Sequence, residues 1–223
     1  MHPALAIALL WCVFAVTHMT LASVSLRPRL VARLGTGAYT GLYSVVALAT
    51  FVPIVSLYFA HKHEGAHLFY WGALPGMREI VYLGMGYAFA LMAAGLARPS
   101  PASLQPGKAE VAGVLRLTRH PLFMGVGIFG ALHLLVASIH VTELAFFAGF
   151  PLFAALGCWH QDQRKLATAG PDFAAFHAGT RFLPVPLPAA LVPAVREDLV
   201  PLLVGVAAAI GLRTFHPTLF GGA

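Results

Sequence analysis

Residues 117–138 read LTRHPLFMGVGIFGALHLLVAS. Arg119, His120 and Pro121 stand directly before an almost wholly apolar run. Crossing a bilayer takes about 20 mostly apolar residues, and ionisable groups inside one are costly. The stretch therefore reads as a membrane helix with polar groups placed at its mouth. Pro121 suits the first helical turn, where its missing N–H costs nothing, so His120 opens the helix. The free N–H groups of that first turn carry a partial positive charge, and Arg119 adds a full one. This chemistry attracts a phosphate, a carboxylate or a cofactor propionate. The plainer alternative is a basic anchor for lipid headgroups beside a proline that merely starts a helix.

The rest of the chain supports the membrane reading. Of its 223 residues 59% are hydrophobic and 10% charged, and the mean hydropathy is +0.79. Soluble domains carry about 25% charged residues, so this chain cannot cover a soluble surface. The expected fold class is all-α: a polytopic helical bundle, one domain over residues 1–223, in contact with the lipid bilayer. The spans expected are Pro3–Leu26, Ala38–Ala60, Met77–Ala97, Pro121–Ser138, Val141–Trp159 and Leu199–Phe215. The last is the least certain of the six, its clean apolar run being short. The N-terminal segment lacks a basic n-region and a clear small-x-small cleavage site, so it reads as a retained span.

Basic residues follow the first, third and fifth spans: Arg27, Arg29 and Arg33; Arg98, Lys108, Arg116 and Arg119; Arg164, Lys165, Arg181 and Arg196. Only Lys62, Arg78 and Arg213 fall on the other side. The positive-inside rule then places the N-terminus outside, in a bacterial inner membrane. The +6 net charge is a topology signal, not a nucleic-acid footprint. Arg98–Lys108 reads as a linker and Ala109–Leu117 as a short helical piece. Residues 160–188 read as a cytoplasmic interfacial segment whose Phe173, Phe176 and Phe182 dip into the headgroup layer.

Eleven histidines are many for so apolar a chain. His18 lies in the inner half of the first span, His120 opens the fourth and His160 ends the fifth, so three helices bring histidines to one half of the membrane. A cofactor site is geometrically possible there; for His18 a hydrogen bond to a neighbouring helix is the alternative. His133 is roughly 20 Å along the helix from His120 and belongs to the other half. The loop "HKHEGAH" (61–67) offers His61, His63, Glu64 and His67, donors that suit zinc or copper or are simply solvated. Cys12 and Cys158 form no spacing motif and read as buried single thiols. There is no G-x-S-x-G elbow, H-E-x-x-H, P-loop or dinucleotide fingerprint.

The segment Leu30–Tyr58, LVARLGTGAYTGLYSVVALATFVPIVSLY, closely resembles the region after the first helix in the NnrU family. These are small membrane proteins associated with denitrification, and the plant and cyanobacterial ζ-carotene isomerases resemble them. The Arg119–Pro121 triplet, the His133–Leu135 triplet and His18 fit the same pattern, and the resemblance runs from about Ala4 to Val185. ζ-Carotene isomerase is a haem b protein. The resemblance therefore implies haem b with His18 and His120 as axial ligands and Arg119 pairing a propionate. It implies isomerisation of an apolar polyene, or a redox role related to nitrogen oxides. Counting residues places His18 deeper than His120, which a tilted helix or a deeper helix start has to reconcile.

A second resemblance competes. The TRHP of 118–121, followed by QDQRKLATAGPDFAAFHAGTRFLP, is similar to the C-terminal part of isoprenylcysteine carboxyl methyltransferases. There a histidine-proline motif and a downstream Glu-Glu pair help bind S-adenosylmethionine. This chain has Gln161-Asp162 at the place of that pair, which puts the methyltransferase reading in doubt. A third reading is a non-catalytic assembly or accessory protein with structural histidines.

Overall fold

The computed structural model describes residues 2–103 and 110–220. Nine α-helices account for most of these: α1 (Pro3–Leu21), α2 (Leu26–His61), α3 (Met77–Ala97), α4 (Pro121–Val136), α5 (Val141–Phe147), α6 (Gly149–Thr168), α7 (Pro171–Gly179), α8 (Pro188–Glu197) and α9 (Leu199–Phe220). Two short strands, β1 (His67–Phe69) and β2 (Ile139–His140), pair antiparallel. The all-α bundle is as expected.

Among the described residues five helical segments are long and apolar enough to cross a membrane: α1, α2, α3, the continuous Val141–Thr168 and α9. The fourth expected span differs. α4 is 16 residues long, roughly 24 Å, and is packed between α3 and α6. The sixth is firmer than its sequence suggests, because α9 is helical for 22 residues. α2 starts at Leu26 rather than Ala38 and contains 36 residues. Its Arg-rich opening is helical too, and Gly35, at φ 77°, kinks it, a conformation open mainly to glycine.

Packing runs α2–α1–α5/α6–α4–α3–α9. Glycines let α3, α4 and α9 approach one another closely. A Cβ on Gly125 would lie 2.5 Å from the Ala88 carbonyl oxygen, and one on Gly205 would collide with the backbone of Phe89 and Ala90. Small residues at such crossings are a common means of packing membrane helices. Between α1, α2 and α5 an aromatic core forms around Trp11, Phe14, Tyr58, Phe146 and Phe147. The Trp11 indole N–H donates to the Phe146 carbonyl at 3.1 Å, and only a glycine at 149 leaves room for its ring.

The connections after α1, α3 and α6 meet at one end of the bundle, here termed the basic end. Arg98 grips Asp198 at 2.7 Å and Arg116 grips Glu197 at 2.8 Å. Gly113 and Val114 donate backbone N–H groups to Glu197 and Asp198. Of the expected helical piece Ala109–Leu117, the described residues form one 3-10 turn, Gly113–Arg116. Lys108 and Ala109 lie outside the described residues. The expected linker is partly packed, since Ala102 is buried against Leu115, Phe173 and Phe176. Those two phenylalanines therefore face protein rather than headgroups: α7 folds back onto the bundle and its apolar side finds a partner there. α6 also continues past Trp159 to Thr168, because a helix already packed against α4 carries its polar last turns with it.

Candidate functional site

His120 is the residue preceding α4, with Pro121 in the first turn, as the sequence implies. Its surroundings are the new observation. The imidazole is 3% exposed, and its Nε2 lies 2.8 Å from Asp162 Oδ1. Arg119 grips the other oxygen through Nε at 2.8 Å and Nη2 at 2.7 Å. Arg119 Nη1 also donates to the Thr180 carbonyl at 3.0 Å, and its guanidinium lies 5.3 Å above the Phe182 ring. His177 Nε2 is 3.6 Å from the same carboxylate. The anion drawn to the mouth of α4 is thus Asp162, 42 residues further along. This network joins the start of α4 to α6 and to the chain after α7. The donors that an S-adenosylmethionine site would use are committed to one another.

His18 stands elsewhere. It stacks on Phe14 at 4.9 Å and packs against Tyr43 at 4.3 Å and Phe153 at 5.4 Å. With His160 it lines a partly open cavity of about 130 Å³ between α1, α2, α4 and α6. Met19, Ala22, Phe123 and Gly157 supply apolar wall, while Cys158, Gln161 and Arg164 supply polar groups. Among the described residues neither His18 nor His160 has a hydrogen-bond partner for its ring. The structure thus brings His18 and His160 together and leaves His120 and Arg119 outside the cavity wall.

Arg164 was visible in the sequence only as a topology charge. It is 7% exposed, and its Nε is buried with no partner. Arg27 Nε, on the first turn of α2, is likewise buried without a partner, and the two guanidiniums repel each other. Burying unpaired cations is expensive, so this corner is chemically prepared for an anion. The spacing held a signal: His160 and Arg164 are one helical turn apart and share a face.

Haem b can be tested against these groups. Two ring nitrogen donors free of other bonds suit axial ligation. Two buried, unpartnered guanidinium nitrogens suit propionates. The donor chemistry of the His18 cavity therefore fits, with His160 rather than His120 as the second histidine at hand. The cavity is smaller than the ~300–1,000 Å³ of pockets that enclose a ligand, so a bound group would extend out through its mouth.

A family model described as "NnrU protein" matches residues 5–223. The chain is 24% identical over 191 residues, 82% of its length, to the chloroplastic 15-cis-zeta-carotene isomerase of Arabidopsis thaliana. It is 26% identical over 184 residues, 79% of its length, to the protein of the same name from Zea mays. It spans about half the length of these relatives, 50% and 48%. No solved structure matches.

Proposed function

The chain belongs to the NnrU family, and from that premise we propose that it is a membrane isomerase of apolar polyenes whose site is the His18 cavity and whose cofactor is haem b. The observation that carries the reading is one cavity joining two imidazoles free of hydrogen bonds to a buried arginine nitrogen with no partner. The names of the two isomerase relatives support the substrate class. When bound, haem supplies an electron-accepting iron that weakens the double-bond character of a polyene.

This chain's own residues do the rest. His18 and His160 would hold the iron, one of them giving way on reduction so that the iron can act on the polyene, and Phe14, Tyr43 and Phe153 fix the His18 ring from three directions. Arg164 on the cavity wall, with Arg27 behind it, would pair the carboxylates. Met19, Ala22 and Phe123 offer an apolar entrance through which a lipid-dissolved substrate arrives without crossing water. Arg119, His120 and Asp162 hold α4 and α6 in place beside the cavity and touch no ligand.

The test is an absorption spectrum of the detergent-purified protein before and after dithionite, together with chromatographic separation of 15-cis-ζ-carotene isomers. The expected result is a Soret band lost in His18→Ala and His160→Ala and kept in His120→Ala, with isomerisation following the band. A wild type that stays colourless after haem is supplied overturns the haem assignment. A band lost in His120→Ala but kept in His160→Ala overturns the ligand pair.

A further inference from the structure

A second polar cluster lies at the opposite end of α1. A side chain on Gly65 would meet the His2 ring at 3.0 Å, and His2 is separated from His18 by roughly 24 Å of helix. Here the loop after α2 meets the corner between α4 and α5. β1 pairs with β2, and Val141 donates its N–H to the Ala66 carbonyl at 3.2 Å.

Glu143 sits at the centre and is 0% exposed. Its Oε1 accepts the His63 backbone N–H at 2.7 Å. Its Oε2 accepts the His140 backbone N–H at 3.1 Å and shares the single Thr142 hydroxyl hydrogen, 3.3 Å away, with the Glu64 carbonyl at 3.0 Å. Among the described residues no Lys or Arg pairs with it. A fully buried carboxylate without a cation is costly, and three neutral donors do not supply the missing positive charge.

Two imidazoles face the same carboxylate. His63 Nδ1 lies 3.3 Å from Oε1 and His140 Nδ1 lies 3.5 Å from Oε2; the His140 side chain also caps the Glu143 backbone N–H and its Nδ1 is 3.4 Å from the Ser138 carbonyl, contacts that a metal ion there would displace. Charge-assisted N–H···O bonds run at about 2.7–2.9 Å, so both separations are long for a direct bond. Each alone is in the range of about 3.3–3.6 Å that separates two ligands bound at ~2.0–2.2 Å to one tetrahedral ion, with the two imidazoles on different oxygens of the carboxylate. The three donor atoms all lie within 4.8 Å of one another. His63 has a φ of 65°, uncommon outside glycine, and its backbone bond to Glu143 holds it there with the ring beside the carboxylate.

We propose that His63, His140 and Glu143 bind one divalent metal ion of the zinc type. Two neutral imidazoles and one carboxylate form a His₂Glu set, with the fourth position left to water. The ion supplies the charge that Glu143 lacks, and it ties the loop after α2 to the start of α5, joining residues 80 positions apart in the chain. The neighbouring histidines are not ligands. His61 pairs with Glu64 at 3.0 Å, and His67 packs edge-on to His140 with ring centroids 5.1 Å apart.

The experiment uses the full chain without a polyhistidine tag, stripped with chelator in detergent and then equilibrated with Zn²⁺. Metal content is read by mass spectrometry after gel filtration, and affinity by competition with a chromophoric chelator. One zinc per chain is expected. His63→Ala and His140→Ala should each weaken binding by more than the ~10–100-fold typical of groups that only support a ligand, while His61→Ala leaves it unchanged. The His63 side chain is 55% exposed, so its removal tests ligation without opening the core. Glu143→Gln should also release the ion, but it disturbs packing and is secondary. A wild type that retains no zinc overturns the assignment, as does a His63→Ala/His140→Ala double variant that binds as tightly as wild type.

Discussion

Asp162→Asn leaves the Arg119 guanidinium, 8% exposed, without its counter-charge. The carboxylate lost is bonded to Arg119 at 2.7 and 2.8 Å and to His120 at 2.8 Å. The amide keeps the shape, offers one acceptor oxygen in place of two, and turns an NH₂ group toward donors. Removing one partner of a buried pair costs about 3–5 kcal/mol, chiefly through the uncompensated charge left behind. For a chain of this size about 1 kcal/mol moves Tm by roughly 2–4 °C, so a fall on the order of 6–20 °C is expected. Arg116→Ala is the control. Its pair with Glu197 is about one-third exposed on both sides, and such pairs are worth ~0–1 kcal/mol. The assay is thermal unfolding in detergent, followed by loss of the monodisperse gel-filtration peak. Replacing Arg119 and Asp162 together by leucine should restore part of the loss, because apolar pairs often substitute for buried ionic ones. If Asp162→Asn falls no further than Arg116→Ala, the network is not a buried clamp and the role given to His120 fails with it.

Gly149→Ala places a methyl group inside the Trp11 ring and should destabilise by about 1–3 kcal/mol; Gly211→Ala, with nothing near it, should be neutral, and the same melting assay compares them. The Glu197 carboxyl is held below its usual range by the Gly113 N–H and then by Arg116, so its contribution is complete above the unfolded value near ~4.3 and is lost as pH falls through the lower folded value. Glu197→Gln should flatten that acid limb of stability between about pH 5 and 3 and lower neutral stability by the same amount, a small one for a pair about one-third exposed. Arg164→Met should raise the stability of ligand-free protein by removing a buried unpaired cation while weakening haem retention; a variant less stable without haem than wild type refutes the anion-site reading.

The spans were legible because twenty apolar residues in a row have few alternatives to a membrane helix. The start of α2 was not. Leu26–Gly35 mixes arginines with leucines and reads as a loop on hydropathy alone, although its backbone is helical up to the Gly35 kink. The α6 extension was hidden for the same reason: QDQRKLAT is polar, yet it continues a helix already anchored by Ala154 and Cys158. At the mouth of α4 the sequence disclosed a demand for negative charge but not its source. Asp162 meets that demand from another helix, and no local pattern encodes such a partner. The useful signal was scarcity. With eight acidic residues in 223, each carboxylate near a span needs a cation, and pairing them off would have connected Asp162 to Arg119.

The same scarcity separates structural charge from functional charge. At the basic end Arg98, Arg116 and Arg119 each hold a carboxylate, and those residues tie helices together. Arg164 is buried and Arg27 half-buried over the Tyr39 ring, each with a buried Nε that has no partner and no carboxylate among the described residues. At the far end Glu143 shows the converse, a buried anion facing two imidazoles and no cation. A chain that pairs its other buried charges so closely has no folding reason to leave these groups unmatched, because each costs stability wherever the ligand is missing. Their positions coincide with a cavity lined by His18 and His160 in one case and with three donor atoms within 4.8 Å of one another in the other. The proposed carboxylate-bearing cofactor at the basic end and the proposed metal ion at the histidine-rich end would each supply the charge of opposite sign that these groups lack.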